Sequence, residues 1–299
     1  MAMTVGIKGT AYCLDFAPEL GMRYGGTPWQ EFQAKPASEF LRELPNHMQT
    51  WEEAASYAPN QAYIGAIHLD DLAKAPKPWI DNLGKAERYG IYGEIMPEDE
   101  FIAFMDICDV FDLIWLEKDF SAKMKDKLAT DPVITDEQLK RLEAGHDEAE
   151  LKDVIEKHGA LPICIDGRVV AICRRAHDTD ENLSAHVMLE NLACKASGVL
   201  SLLHLIKNCG MKPADIDFVV ECSEEAVGDI MQRGGGNMAK AIAEIAGCGN
   251  ASGFDVRGFC AGPTAAMISA ASMVATGARN NVAVVGGGSL PKLFMNSRD

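Results

Sequence analysis

Basic residues are scarce in this chain. Lys and Arg number 28 against 44 Asp and Glu, so 299 residues carry a formal net charge of -16. Displacing counterions from a phosphate backbone takes a basic stripe, which disfavours nucleic-acid binding. No apolar run reaches the ~18 residues that a membrane span needs, so no membrane association is expected. The opening MAMTVGIKGTAYCLDF lacks a basic end followed by an apolar stretch, the pattern of a secretory signal. Neither GxxxxGK nor GxGxxG occurs, so the two best-known phosphate-cradling loops are missing. Cysteine is present but unpatterned. The nine residues, at 13, 108, 164, 173, 194, 209, 222, 248 and 260, include no CxxC pair. An odd, scattered set reads as reduced thiols of a cytoplasmic protein, with no disulfide framework and no metal site. Each thiol is by default a small buried hydrophobe.

What is present divides near residue 160. Residues 1–159 hold 30 acidic and 16 basic residues, and residues 160–299 hold 14 and 12. Length alone suggests about two domains. The expected division is residues 1–159, an N-terminal strand plus an acidic helical insertion, and residues 160–299, which carry the chemistry. Val5–Thr10 reads as a strand. Residues 37–158 read mostly as short helices, with apolar positions from Phe101 to Trp115 near helical spacing across 99–119. Residues 119–158 are polar, helix-prone and broken at Pro132 and Gly145. They form either a solvated helical face or an acidic docking face.

After 160 the pattern is that of an α/β fold. LPICIDGRVVAIC predicts a hairpin about Asp166-Gly167, a type I′ pair. Residues 184–209 predict a long helix ended by Gly210 and Pro213. Short strands are expected at 216–222, near Phe254–Val256 and at 281–286, with helices at 237–247 and 264–276 between them. The helix at 264–276 is apolar almost all round, which predicts burial. The strand at 281–286 is apolar on both faces, which predicts a central parallel strand.

One cysteine stands in a chemical context. A strand ends in the turn Gly258-Phe259-Cys260-Ala261-Gly262 and a helix follows at once. A thiol at a helix N-terminus meets unpaired backbone N–H groups and the positive end of the dipole, which favour thiolate. Gly258, Ala261 and Gly262 permit the sharp turn and leave room for an acyl group. Pro263 suits the first helical turn. A thiol of pKa ~8.5 must fall by about two pH units to be mostly ionised at pH 7, which takes about 2.7 kcal/mol. A helix terminus supplies roughly 0.3–2 kcal/mol. A histidine partner or neighbouring cation must supply the rest.

This stretch resembles the nucleophile region of the thiolase and ketoacyl-synthase III superfamily, through Asp255, the Cys260-Ala261-Gly262 turn, the helix ending at Gly277 and the strand 281–286. The helix–Gly–x–x–Pro–x–Asp–Ile–Asp pattern over Cys209–Asp217 fits the same superfamily. A closer resemblance runs along nearly the whole chain. It rests on YCL (12–14), PNQAYIG (59–65), GEIMPEDEFI (93–102), AHVMLENLACKASGV (185–199), ECSEEAVGD (221–229), QRGGGN (232–237) and RGFCAGPT (257–264). These runs look like the β-type subunit of component C of glycine/sarcosine/betaine reductase. The resemblance implies a thiolase-like fold, the first β/α half of an αβαβα layered arrangement. It implies an acyltransferase-type enzyme in anaerobic amino-acid fermentation, with Cys260 as nucleophile. The carboxymethyl group of selenoprotein A would be taken up as an acetyl thioester and passed to phosphate, giving acetyl phosphate. Selenoprotein A and the alpha subunit of component C are the implied partners, in a homo- or hetero-oligomer. No bound cofactor is implied; phosphate is a co-substrate. Two other readings stay open: a condensing enzyme of the ketoacyl synthase III or thiolase type, and a non-catalytic scaffold subunit. The superfamily's acid–base partner lies in a second β/α half, so the chain is expected to lack a C-terminal half, and apolar surface around Val282–Val285 is expected to be uncovered.

Weaker signals complete the reading. Gly234-Gly235-Gly236, beside Arg233 and before a helix, reads either as a phosphate cradle or as a tight turn. Gly287, within Gly286–Gly288, lets the chain turn close to the nucleophile. Glu221, Cys222, Ser223, Glu224 and Glu225 follow a strand end, where Glu224 is a pocket candidate and a glutamate could move protons. Arg174, Arg175 and His177 form a small basic cluster that could pair with the acidic insertion or hold an anion. His186 and His204 are expected to be structural.

Overall fold

The computed structural model describes residues 4–223 and 237–288. Ten helices occupy the first part: α1 (Pro18–Tyr24), α2 (Gly26–Ala34), α3 (Glu39–Glu43), α4 (Trp51–Ser56), α5 (Ala58–Ile64), α6 (Leu69–Lys74), α7 (Glu98–Cys108), α8 (Lys118–Leu128), α9 (Asp136–Leu139) and α10 (Glu148–His158). Side-chain caps explain several starts. Thr50, Thr135 and Asp147 each form a capping box with a Glu or Gln three residues on. Strand β1 (Leu14–Asp15) pairs in parallel with β2 (Ile95–Met96).

The helical spacing read across 99–119 becomes helix only as far as Cys108. Asp109 explains the break: its carboxylate accepts hydrogen bonds from the N–H groups of Phe111, Leu113 and Ile114 and folds the chain into a turn. Such local bonds compete with helix. Ile114–Leu116 then forms β3, the edge of an antiparallel sheet with β4 (Leu161–Ile165) and β5 (Arg168–Cys173), in the order β3-β5-β4. The β4–β5 hairpin turns at Asp166 and Gly167, both with positive φ (52° and 75°), as a type I′ turn requires. Val5–Thr10 forms no strand. The segment is held elsewhere: Lys8 Nζ donates to Asn281 Oδ1 at 2.6 Å and Thr10 O accepts from Asn208 Nδ2.

Helix α11 (Ala185–Asn208) is the central rod, with Leu189, Cys194, Ala196, Val199 and Leu200 fully buried. It ends at Gly210, whose φ is +61°; the Gly210 and Met211 N–H groups return to the Lys207 and Ile206 carbonyls. Three short parallel strands follow: β6 (Phe218–Glu221), β7 (Ser252–Asp255) and β8 (Val282–Val285), in the order β7-β6-β8. Helix α12 (Met238–Ile245) and helix α13 (Gly262–Ala275) provide the crossovers.

The pleat of β6 sorts its side chains. Val219 joins the main core with α11 and α12, while Phe218, Val220 and Cys222 join a second cluster with Ala266 and Ala270 of α13. The sheet is thus packed on both faces. Two expectations need correction here. Strand β8 is an edge among the described residues, bonded only to β6. Helix α13 is not buried: only Gly262, Ala266 and Ala270 are sealed, while Met267 is 52% and Ile268 63% exposed. Gly262, Ala266, Ala270 and half-buried Met273 lie toward the sheet while Met267 and Ile268 point away, so an all-apolar sequence covers a single face. Of the two elements, the more exposed apolar surface therefore lies on α13, while of the β8 residues expected to be uncovered Ala283 and Val285 are buried and Val282 and Val284 half-buried.

Candidate active site

The site forms where β6, β7 and β8 end, the rim at which parallel α/β sheets gather ligands. Each strand delivers something. Strand β6 ends in Glu221, then Cys222 and Ser223; β7 ends in Asp255, then Arg257 and the cysteine turn; β8 runs into Gly286–Gly288.

The cysteine turn is a short 3₁₀ element, Phe259–Ala261, closed by a hydrogen bond from Ala261 N to Gly258 O at 3.1 Å. Cys260 precedes the first residue of α13 by two positions and is exposed, whereas the other eight cysteines are buried or half-buried. Ala261, at the helix cap, has no side-chain oxygen with which to cap the first-turn N–H groups. Gly262 is buried close to the Cys222 carbonyl, which a Cβ would meet at 3.4 Å. The strand–turn–helix arrangement read from the sequence is therefore present, with an accessible thiol at the turn.

Behind the turn lies an ionic clamp. Glu221 is fully buried, and its two carboxylate oxygens accept from Ser223 N at 2.6 Å and Arg257 Nη1 at 2.5 Å. The same Arg257 nitrogen donates to Ser223 O at 2.8 Å, and Nη2 lies 3.8 Å from Asp255 Oδ2. Asp255 in turn accepts from the Met238 and Ala239 N–H groups at the start of α12. A carboxylate there satisfies orphan donors and complements the helix dipole. The sequence marks Glu221 only as one of the glutamates after this strand end, with Glu224 as the pocket candidate, and does not single out Arg257. A glutamate closing one strand and an arginine two residues past the next is the signal that could have found this pair.

Cys222 differs chemically from Cys260. It sits beneath the rim with Sγ 3.4 Å from Val285 O, and burial, reinforced by Glu221, pushes its thiol up to about 11. It stays protonated at neutral pH. Ser223 Oγ accepts from Gly287 N at 2.8 Å, and Ser197 Oγ accepts from Gly288 N at 2.7 Å. Gly287 lies so close to α11 that an added methyl would overlap the Cys194 carbonyl. Cys222, Ser223, Pro263 and Gly286–Gly288 wall one end of a cleft of about 1740 Å³, which also reaches Tyr12, Asp15 and the outer face of α13.

Gly258, Cys260, Ala261, Gly262 and Gly287 thus gather at one rim. Glu224, Arg233, Gly234, Gly235 and Gly236 lie outside the described residues. His186 and His204 take structural places: His186 Nε2 is 2.9 Å from Tyr24 O and its ring stacks on Trp29, while buried His204 meets Glu94. Arg174 of the basic cluster pairs with Asp112 at 3.1 Å and lies over the Trp115 ring. No group able to hold a metal ion occurs among the described residues. None of the described helices is long and apolar enough to cross a membrane.

No family model matches the chain. Over 296 residues, 98% of its length, it is 47% identical to the glycine/sarcosine/betaine reductase complex component C subunit beta of Peptoclostridium acidaminophilum, and it spans 58% of that protein. A 90-residue stretch, 29% of the chain, is 38% identical to beta-ketoacyl-[acyl-carrier-protein] synthase III of Listeria monocytogenes and covers 27% of it. Among solved structures, the priming beta-ketosynthase of the R1128 polyketide pathway matches at 31% identity over 30% of this chain and 25% of its own, with a TM-score of 0.27, a value that carries no weight for the fold. The resemblance carried by the sequence motifs is therefore borne out: along nearly its whole length the chain is a relative of the glycine/sarcosine/betaine reductase component C beta subunit, and over a shorter stretch of ketoacyl synthase III.

Proposed function

We propose that the chain carries the acyl-accepting thiol of an acetyl-transfer subunit, with a thiolase-like β/α half as its frame. The observation behind this reading is the placement of Cys260. It is the exposed cysteine among nine, set in a turn between the carboxyl end of a parallel strand and the start of an apolar helix. The thiolate attacks an acyl carbon to give a thioester, and it is also a good leaving group when the acyl group moves on. In the reaction that the resemblance implies, the carbon–selenium bond of the carboxymethyl group on selenoprotein A is cleaved reductively, a second thiol giving up two electrons as it joins the selenium in a selenide–sulfide bond, while the methylene takes a proton and the carboxyl loses water to become the acetyl thioester on Cys260. Phosphate oxygen then attacks the thioester carbonyl, acetyl phosphate departs and the Cys260 thiolate is restored. No cofactor is needed for that second step. The partners are selenoprotein A and the alpha subunit of component C, in the cytoplasm. Pocket roles for Gly258, Ala261, Gly262, Gly287 and Glu224, and phosphate contacts from Arg233 and Gly234–Gly236, belong to the same proposal.

A condensing reaction is the second reading, favoured by the 90-residue stretch shared with ketoacyl synthase III. The two readings share the nucleophile and differ in the acyl acceptor. Mapping adducts after limiting iodoacetamide, together with acetyl transfer by Cys260→Ala in the complete subunit, tests what they share. Labelling concentrated on Cys260 and loss of transfer are expected. Labelling elsewhere with transfer intact leaves a scaffold role. Carbon–carbon bond formation from malonyl or acetyl thioesters would select the second reading over acetyl phosphate production.

A further inference from the structure

Arg257 lies three residues before Cys260, so their Cα atoms are at most about 11 Å apart. The guanidinium ties the ends of two strands together immediately before the cysteine turn. It reaches Glu221 and Ser223 O beyond β6 and Asp255 at the end of β7, and Asp255 in turn holds the start of α12. Val256 N donates to Glu221 O at 2.7 Å, so the ladder between β6 and β7 continues up to Arg257 itself. Beyond it the chain folds into the 3₁₀ turn that presents Cys260.

We propose that Arg257 is a positioning residue for Cys260: it anchors the turn to the ends of β6 and β7, and its balance against Glu221 and Asp255 sets the charge that the thiol feels. The inference rests on the reading of Cys260 as nucleophile. Its physical basis is the local charge inventory. Helix α13 contributes no charged residue from Gly262 to Ala275, and β8 contributes none. Cys222 is neutral at pH 7, and Lys240 of α12 is turned to the Ala251 carbonyl. Of the charged residues described on β6, β7, α12, α13 and β8, Lys240 and Glu244 belong to α12, whereas Glu221 and Asp255 stand at the strand ends from which the turn departs, with Arg257 between them. Removing the cation leaves two carboxylates, which disfavours thiolate; neutralising Glu221 frees the cation, which favours it. Arg is suited to the place because its planar fork can hold Glu221, Ser223 O and Asp255 together, which an ammonium does less well.

The test is the pH profile of Cys260 alkylation in the complete subunit, measured with limiting iodoacetamide and referred to half-buried Cys209 as an internal standard. Arg257→Ala is expected to slow Cys260 labelling near pH 7 about threefold or more and to move its profile to higher pH. Glu221→Gln is expected to speed it and to move the profile to lower pH. Arg257→Lys, which keeps the charge, is expected to recover most of the rate. A purely structural role would shift neither profile, or both in one direction, and either result overturns the proposal. Should Arg257→Ala fail to fold, Glu221→Gln decides alone: a profile not displaced to lower pH overturns it. Unmoved profiles with acetyl still carried on Cys260 defeat only this inference. Moved profiles with no acetyl on Cys260 defeat the functional reading instead.

Discussion

His204 Nε2 lies 3.0 Å from Glu94 Oε1, and both side chains are almost wholly sealed from solvent. The second Glu94 oxygen accepts from Arg88 Nε at 2.9 Å, and Arg88 also holds Glu100 and Asp131. This polar knot joins α11 to the segment before β2, far along the chain from the cysteine turn. It uses the histidine for cohesion.

Replacing His204 by Ala leaves a buried carboxylate oxygen short of a donor and opens a cavity. A loss of about 2–4 kcal/mol in unfolding free energy is expected. Denaturant unfolding of wild type and variant checks it. Iodoacetamide reactivity of Cys260 in the folded variant should be unchanged.

Stability should fall as pH rises from about 4 to about 7. Burial pushes the carboxyls of Asp15, Glu98 and Asp106 each up to about 7 in the folded chain, against ordinary values near 4. Between these values the unfolded chain binds fewer protons than the folded one, so raising pH favours unfolding through these groups. Their stabilising contribution is whole below about pH 4 and lost above about 7. Glu98→Gln and Asp106→Asn should flatten that part of a melting-temperature profile. A slope unchanged in both variants would contradict the assignment.

Helix α13 offers a paired test of orientation. Ile268→Lys should change unfolding free energy by less than about 0.5 kcal/mol in this chain, because that side chain is 63% exposed. Ala270→Leu, on the face packed against β6, should cost about 1–3 kcal/mol through overpacking. A larger cost for Ile268→Lys than for Ala270→Leu would mean the helix faces the other way.

Gly287→Ala should be poorly tolerated, since the added methyl has no room beside the Cys194 carbonyl. Moving the strand end away would also pull Gly287 N and Gly288 N from Ser223 and Ser197. About 1–3 kcal/mol of destabilisation is expected from strain alone, read by thermal melting.

Much of the second part of the chain was legible because its signals are local. The Asp166-Gly167 pair, Gly210 after a long apolar period, and the Cys260 turn ahead of Pro263 each settle structure within a few residues. The motif runs that resembled component C proved equally informative. Other features depend on partners distant in sequence. Whether an apolar helix is covered on one face or two depends on what packs on it, so α13 could not be oriented from composition. Val5–Thr10 has strand-like residues, but no strand is bonded to it. Asp109 ends α7 through its own side chain, a local signal hidden inside an otherwise helical period. The Glu221–Arg257 pair needs the parallel register of β6 and β7 to be seen at all.

The most direct test of the account is to incubate the complete subunit with acetyl phosphate and locate the acetyl group by peptide mass spectrometry before and after hydroxylamine, which cleaves thioesters. The account predicts one hydroxylamine-labile acetyl group on Cys260, absent in Cys260→Ala. An acetyl thioester on any other cysteine, or full acetyl transfer by Cys260→Ala, would contradict it.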